Sequence, residues 1–240
     1  MPLEFFVLWV AVPIAIVAVL IAILAGRRSP RSVSLSRAES WTASLIGAGA
    51  MLAALGGVVT LVSTGALTLG SDPLQIRDMP YWGSPIDRLE GVDHIAWSGY
   101  ESAWLDVAGV PAGARWLLFL EGGLPALAAI CIGVAVAWLA IALIRERPFV
   151  RAVPTAILIA AIAVGVGGIG SQAAGAFGRA ADVDYLSNAA VTADNDGTGA
   201  LAYFTLALDL APMGWALGLA LVAAAFQIGT RMQHDTEALV

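Results

Sequence analysis

The chain has 240 residues, of which 59% are hydrophobic and 12% charged, with a mean hydropathy of +0.84 and a formal net charge of −6. These proportions exclude an ordinary water-soluble domain, and the acidic balance argues against direct nucleic-acid binding by the chain as a whole. The apolar residues run in uninterrupted blocks of about 20, the length a helix needs to cross roughly 30 Å of hydrocarbon, so the expected fold class is an all-α integral membrane protein.

The first block, residues 5–25, contains Pro13, which a membrane helix tolerates as a kink. No basic residue precedes it, and Arg27, Arg28 and Arg31 follow it, the reverse of a secretory signal peptide. It is expected to be a retained N-terminal helix whose start faces outward, with the three arginines anchoring the far surface to anionic lipid. Residues 1–35 thus form an N-terminal unit, and residues 36–240 a four-helix membrane domain.

In that domain Ser36 and Glu39 have the spacing of a capping box, which predicts a helix from about Arg37 to about Leu69. Residues 70–115 turn acidic and aromatic (Tyr81, Trp82, Trp97, Tyr100, Trp104), too polar for lipid and too apolar for a disordered tail. A small ordered extracytoplasmic cap is expected there. The next helix is expected over about 116–144 and the following one over about 152–170, as antiparallel neighbours across a tight connection. A second acidic loop, 171–201, leads to a last apolar block ending at Ile228 and a polar tail, 229–240. The whole reads as a five-helix transmembrane bundle, a four-helix unit plus an extra N-terminal helix.

All twelve basic residues are arginine. Arg27, Arg28, Arg31, Arg37, Arg145, Arg147, Arg151 and Arg231 fall on one side of that scheme, and Arg77, Arg88, Arg115 and Arg179 on the other. The richer side is cytoplasmic by the positive-inside rule, which puts the N-terminus outside and the C-terminus inside. Together with abundant alanine, the all-arginine composition suggests a high-GC bacterium and hence its inner membrane as the setting.

Two stretches, 145–170 and 223–240, resemble the YoaS-like family of small bacterial membrane proteins of unknown function. Glu146, Arg147, Pro148 and Phe149 stand where that family carries Gly-x-Pro-Phe, with glutamate for glycine. The tail keeps Gly229, Asp235, Thr236, Glu237, Leu239 and Val240, with Ala238 where glycine is common. The resemblance implies four helices, no established activity and, since such proteins are often encoded beside a small helix-turn-helix regulator, a cytoplasmic regulatory partner.

Glu121 and Asp209 are the acids nearest the membrane interior, where a carboxylate suggests ion or proton handling. Both are more simply placed at helix N-termini near the outer interface, where the helix dipole favours negative charge. Asp194, Asn195, Asp196 and Gly197 resemble the opening of a calcium loop but lack its downstream ligands, and an Asx-Gly turn explains them. His94 with Glu90 and Asp93 lacks a second histidine for a metal, and His234 reads as an exposed tail residue. The single cysteine, Cys131, has no disulfide partner.

Small residues at helix-packing spacing (Gly214 and Gly218; Gly170, Ala174 and Gly178) fit internal packing better than a partner helix. With no phosphate loop, His-Glu-x-x-His element or nucleophile elbow, neither an enzyme nor a cofactor is expected. The leading expectation is a sensor or regulatory membrane partner of a cytoplasmic transcription regulator, docking it through Arg231, Asp235, Glu237, Leu239 and Val240. An accessory subunit of a larger membrane complex is the alternative, and a small transporter or channel the weaker one.

Overall fold

The computed structural model describes residues 37–81, 102–145, 152–186, 201–202 and 204–237. Their element order is α1 (Arg37–Gly70), β1 (Leu74–Pro80), β2 (Ser102–Val107), α2 (Ala112–Ile144), α3 (Ala152–Leu186) and α4 (Ala211–Glu237). All four helices are long and apolar enough to cross a membrane. The first apolar block, with Arg27, Arg28 and Arg31, lies outside the described residues, as do the loop candidates at 90–94 and 194–197 and the tail residues Leu239 and Val240.

Charge is confined to the helix ends: α1 has none after Glu39, α2 only Arg115 and Glu121, and α3 none before Arg179. A buried charge without a partner is costly in lipid, so this spacing leaves continuous apolar rods. Pro154 and Pro212 stand in first turns, where a missing N–H costs nothing. Pro125 lies inside α2 and cannot donate to the Glu121 carbonyl one turn earlier.

Two expectations are corrected. The fold is mostly helical but not all-α, because the stretch read as an outer loop contains an antiparallel two-stranded sheet. And α3 does not stop near Gly170 but continues sixteen residues to Leu186, through half of the presumed second loop. The end of an apolar run marks where a helix can leave hydrocarbon; the alanine-rich segment beyond it keeps a high helix propensity and has no reason to unwind. Likewise α2 begins four residues before Trp116, at Ala112.

The chain divides into two compact units. The first takes in the described residues within Met1–Val62, Gly123–Ile169 and Asp209–Val240. Its core is made of small side chains, Ala135 and Ala142 of α2 with Val153, Ile157 and Ala160 of α3 and Ala223 of α4. Helices α1 and α2 run antiparallel at very close range: a Cβ on Gly133 would lie 2.6 Å from the Ala50 carbonyl oxygen, and one on Gly57 2.9 Å from that of Ala126. Such contacts replace hydrophobic driving force with dispersion, which is what holds helices together in lipid.

The second unit comprises the described residues within Ser63–Gly122 and Gly170–Leu208. Here the hairpin lies against the start of α2 and the end of α3, burying Leu74, Ile76, Met79 and Val107 with Val110, Ala114 and Val183. Leu74 and Ile76 face inward at the two-residue period of a strand, but Met79 is three further on. A bulge at Arg77 and Asp78 absorbs the extra residue, since Ile76 pairs with Leu105 and Met79 with Ala103. Asp78 takes φ 55°, a left-handed value that aspartate accepts more readily than most residues. Without the bulge Met79 would turn to solvent. Tyr81 bridges to Leu201, and the Ala202 N–H donates to the Pro80 carbonyl at 2.9 Å.

Candidate functional site

The polar groups of the second unit gather around one guanidinium. Arg115 stands in the first turn of α2 and reaches back to the end of α1, where the last carbonyls of a helix have no intrahelical partner. Its Nη1 donates to the carbonyl oxygens of Ser71 at 2.6 Å and Thr68 at 3.5 Å, and its Nε to that of Val110 at 3.1 Å. Its Nη2 meets Asp72 Oδ1 at 3.3 Å, and the same oxygen accepts the Gly109 N–H at 2.9 Å. A cation at a helix C-terminus is also favoured by the dipole. One side chain therefore ties the end of α1, the lead-in to β1 and the turn after β2 to the start of α2.

The turn itself depends on Gly109, at φ +70°. A Cβ there would be strained and would lie 2.9 Å from the Tyr185 hydroxyl. That hydroxyl donates a long hydrogen bond, 3.4 Å, to the Ala108 carbonyl, adding the last turn of α3 to the same junction.

Lower on α3, Arg179 Nη1 is 2.7 Å from Glu121 Oε1 of α2, with the arginine side chain the more buried of the two. Gly175 lies under the Glu121 carboxylate, and a methyl group on it would overlap the carboxylate oxygens. The structure thus places Glu121 in an inter-helix ion pair rather than leaving it to the helix dipole alone. Asp209 precedes α4, exposed, with its Oδ1 accepting the Ala211 N–H at 2.9 Å. Arg231 is exposed near the end of α4, whose helical backbone extends through Asp235 and Glu237.

One turn beyond Arg179 is Asp182, completely buried, with neither carboxylate oxygen hydrogen-bonded among the described residues. It stands about 18 Å along α3 past Gly170, where the apolar run ends, between Ala181 and Val183, which pack on an open hairpin that could not face hydrocarbon. A span of about 20 residues counted from Ala152 leaves this end of the 35-residue helix over. Burial pushes its pKa from 3.8 up to about 6, with the positive charge of Arg115 partly opposing that rise. An unpaired carboxylate in such surroundings is held as the neutral acid until the pH approaches that value.

Sequence reading singled out neither Arg115, Asp72 and Arg179 as partners nor Asp182 as buried. An arginine at the border of an apolar run and an Arg-x-x-Asp spacing were visible, but the second becomes a helix-face pattern only once α3 is known to continue. Gly178, with Leu118 at 3.0 Å, packs inside the unit, and Ala174 is buried. Gly214 and Gly218 have no described residue within 4 Å of where a Cβ would stand. Among the described residues no group of three or more His, Cys, Asp or Glu comes together to hold a metal.

Comparison with protein-family models, with curated proteins and with solved structures finds no match to this chain.

Proposed function

We propose that the chain is a non-enzymatic multi-pass protein of the bacterial inner membrane that senses a condition outside the cell and passes it to a cytoplasmic partner. In this reading the second unit is the outer, signal-receiving cap, and five spans, counting residues 5–25, leave the tail from Arg231 onward inside. The YoaS-like resemblance supports a helix-turn-helix regulator as that partner.

The observation that carries the reading is the construction of the second unit. Its hairpin is fastened by Arg115, Tyr185 and an apolar cluster to α1, α2 and α3, helices whose remaining residues belong to the apolar unit. A folded element on continuous helices has a means of biasing them that a solvated loop lacks. Among the described residues of this unit, Arg115 and Tyr185 are committed to holding backbone, and Glu121 and Arg179 to each other.

Affinity purification in mild detergent, with identification of what co-purifies, tests the reading. A cytoplasmic DNA-binding regulator lost on truncation after Thr230 is the expected result, and its absence from the full-length preparation refutes the docking role. The accessory-subunit reading has one observation in its favour, the face of α4 that carries Gly214, Gly218 and the exposed Trp215, Leu217 and Leu221. Small residues flanked by large apolar ones suit a partner helix, and stoichiometric membrane subunits in the same purification would favour it.

A further inference from the structure

We propose that Asp182 is a proton-binding site that controls the anchoring of the hairpin: on losing its proton, its carboxylate draws the Arg115 guanidinium away from Asp72 and from the carbonyls at the end of α1. The inference deepens the sensing reading by naming the signal as external pH, and rests on that reading only for what the signal is for.

The geometry supplies both halves of the exchange. Asp182 is wholly enclosed and makes no hydrogen bond to any described residue, so its ionised form is poorly compensated where it stands. Arg115 is nearly enclosed and sits at the start of α2, where the adjoining Ala114 packs in one cluster with Val183, the residue after Asp182; it is held there by Asp72 and by the carbonyls of Val110, Thr68 and Ser71, and its positive charge favours the ionised form of Asp182. Its carboxylate partner Asp72 is the exposed end of the pair and can be solvated if abandoned.

Among the described residues, the other charged and titratable groups on the elements packed around Asp182 are engaged elsewhere or face solvent. On α2, Glu121 is taken by Arg179, which is also the nearest cation on α3. Asp184 and Tyr185 of α3 are exposed, and the tyrosine hydroxyl is directed at Ala108. On the hairpin, Arg77 binds Gln75 Oε1, while Asp78 and Asp106 face solvent; Tyr81 is partly buried at the end of β1. Ionisation breaks only the carboxyl O–H bond, the proton passing to water. Its consequence is electrostatic: a buried anion arises under the influence of a cation whose present partner is better hydrated, and the low local dielectric favours the new pairing. The end of α1 and the Gly109 turn then lose their common anchor, and the hairpin loosens.

The test is hydrogen exchange of the full-length protein in lipid nanodiscs, read by mass spectrometry on peptides covering 72–80 and 102–110 and corrected for the intrinsic pH dependence of exchange. The opening of the hairpin is expected to become about tenfold more favourable between pH 5 and pH 8 and to level off above the titration of Asp182, while α2 around Ala135 does not respond. The neutral near-isostere Asp182→Asn is expected to abolish the response, and Asp72→Asn, which frees Arg115 in advance, to move it to lower pH. A wild-type hairpin whose protection is flat across this range overturns the proposal even if the variants fail to fold; so does an unchanged response in Asp182→Asn. A preserved pH response without any co-purifying regulator would instead count against the sensing reading and leave the proton site standing.

Discussion

Replacing Gly133 with alanine should destabilise the apolar unit, although alanine is the better helix former. The built Cβ meets the Ala50 carbonyl oxygen at 2.6 Å and the Ala54 nitrogen and Cβ at 2.8 Å. Two of those three atoms are backbone of α1 and cannot rotate aside, so the two helices must separate by several tenths of an ångström. Overpacking of this kind costs about 1–3 kcal/mol, against which alanine returns about 1 kcal/mol of helix propensity. The net expectation is a loss of about 1 kcal/mol, more if separation also breaks the contact between Gly57 and Ala126 on the same interface. Gly214→Ala is the matched control, since nothing described lies within 4 Å of its Cβ and only the propensity gain remains. Unfolding of both variants in increasing mole fractions of SDS, followed by far-UV circular dichroism, gives the comparison. Equal midpoints for the two would mean that α1 and α2 are not in contact at Gly133.

Asp182→Asn should be pH-selective in stability. The raised pKa means that the folded state keeps a proton the unfolded chain releases, so that stability is fully present below pH 3.8 and is lost as the pH rises through about 6, by about 3 kcal/mol in all. The gap in thermal midpoint between wild type and variant, read by near-UV circular dichroism, should therefore shift in favour of the variant from pH 4 to pH 8; a constant gap refutes it. Arg179→Glu should weaken the second unit by leaving two carboxylates face to face, and Glu121→Arg in the same chain should restore most of the loss; additive losses in the double variant would show the pair to be incidental. With Cys131 replaced by serine, a cysteine at exposed position 104 should react with an impermeant maleimide on intact cells and one at 231 should not, and the opposite pattern would reverse the proposed topology.

What the sequence made legible was the consequence of solvent. Hydrocarbon demands long uncharged runs, and these located α1, the end of α2 at Ile144 and the start of α3 at Ala152 to within a residue or so. Outside hydrocarbon that demand lapses, and inference from apolarity fails with it. Gly170 ends the apolarity of α3 but not its helicity. The hairpin stays hidden for two reasons: its strands are separated by residues 81–101, so no two-residue turn marks them, and the bulge at Arg77 and Asp78 breaks the alternation that would have betrayed β1.

The same misplacement conceals the site. Once residues 171–186 are taken for a loop, Arg179 and Asp182 look like ordinary solvated charges, and Glu121 loses the partner that explains its position. Winding the segment into a helix puts the arginine and the aspartate one turn apart, giving Glu121 a partner and depriving Asp182 of one. The asymmetry comes from placement. Arg179 meets α2 where a carboxylate stands and a glycine makes room beneath it, whereas the residues on either side of Asp182, Ala181 and Val183, pack into the apolar cluster that buries the hairpin. A long side chain in that position would have snorkelled to water, but aspartate is too short to do so. An acid that can neither reach solvent nor find a cation in place among the described residues must carry its proton or draw a cation to it, and among those residues the cation whose charge acts on it is the arginine on which the hairpin depends.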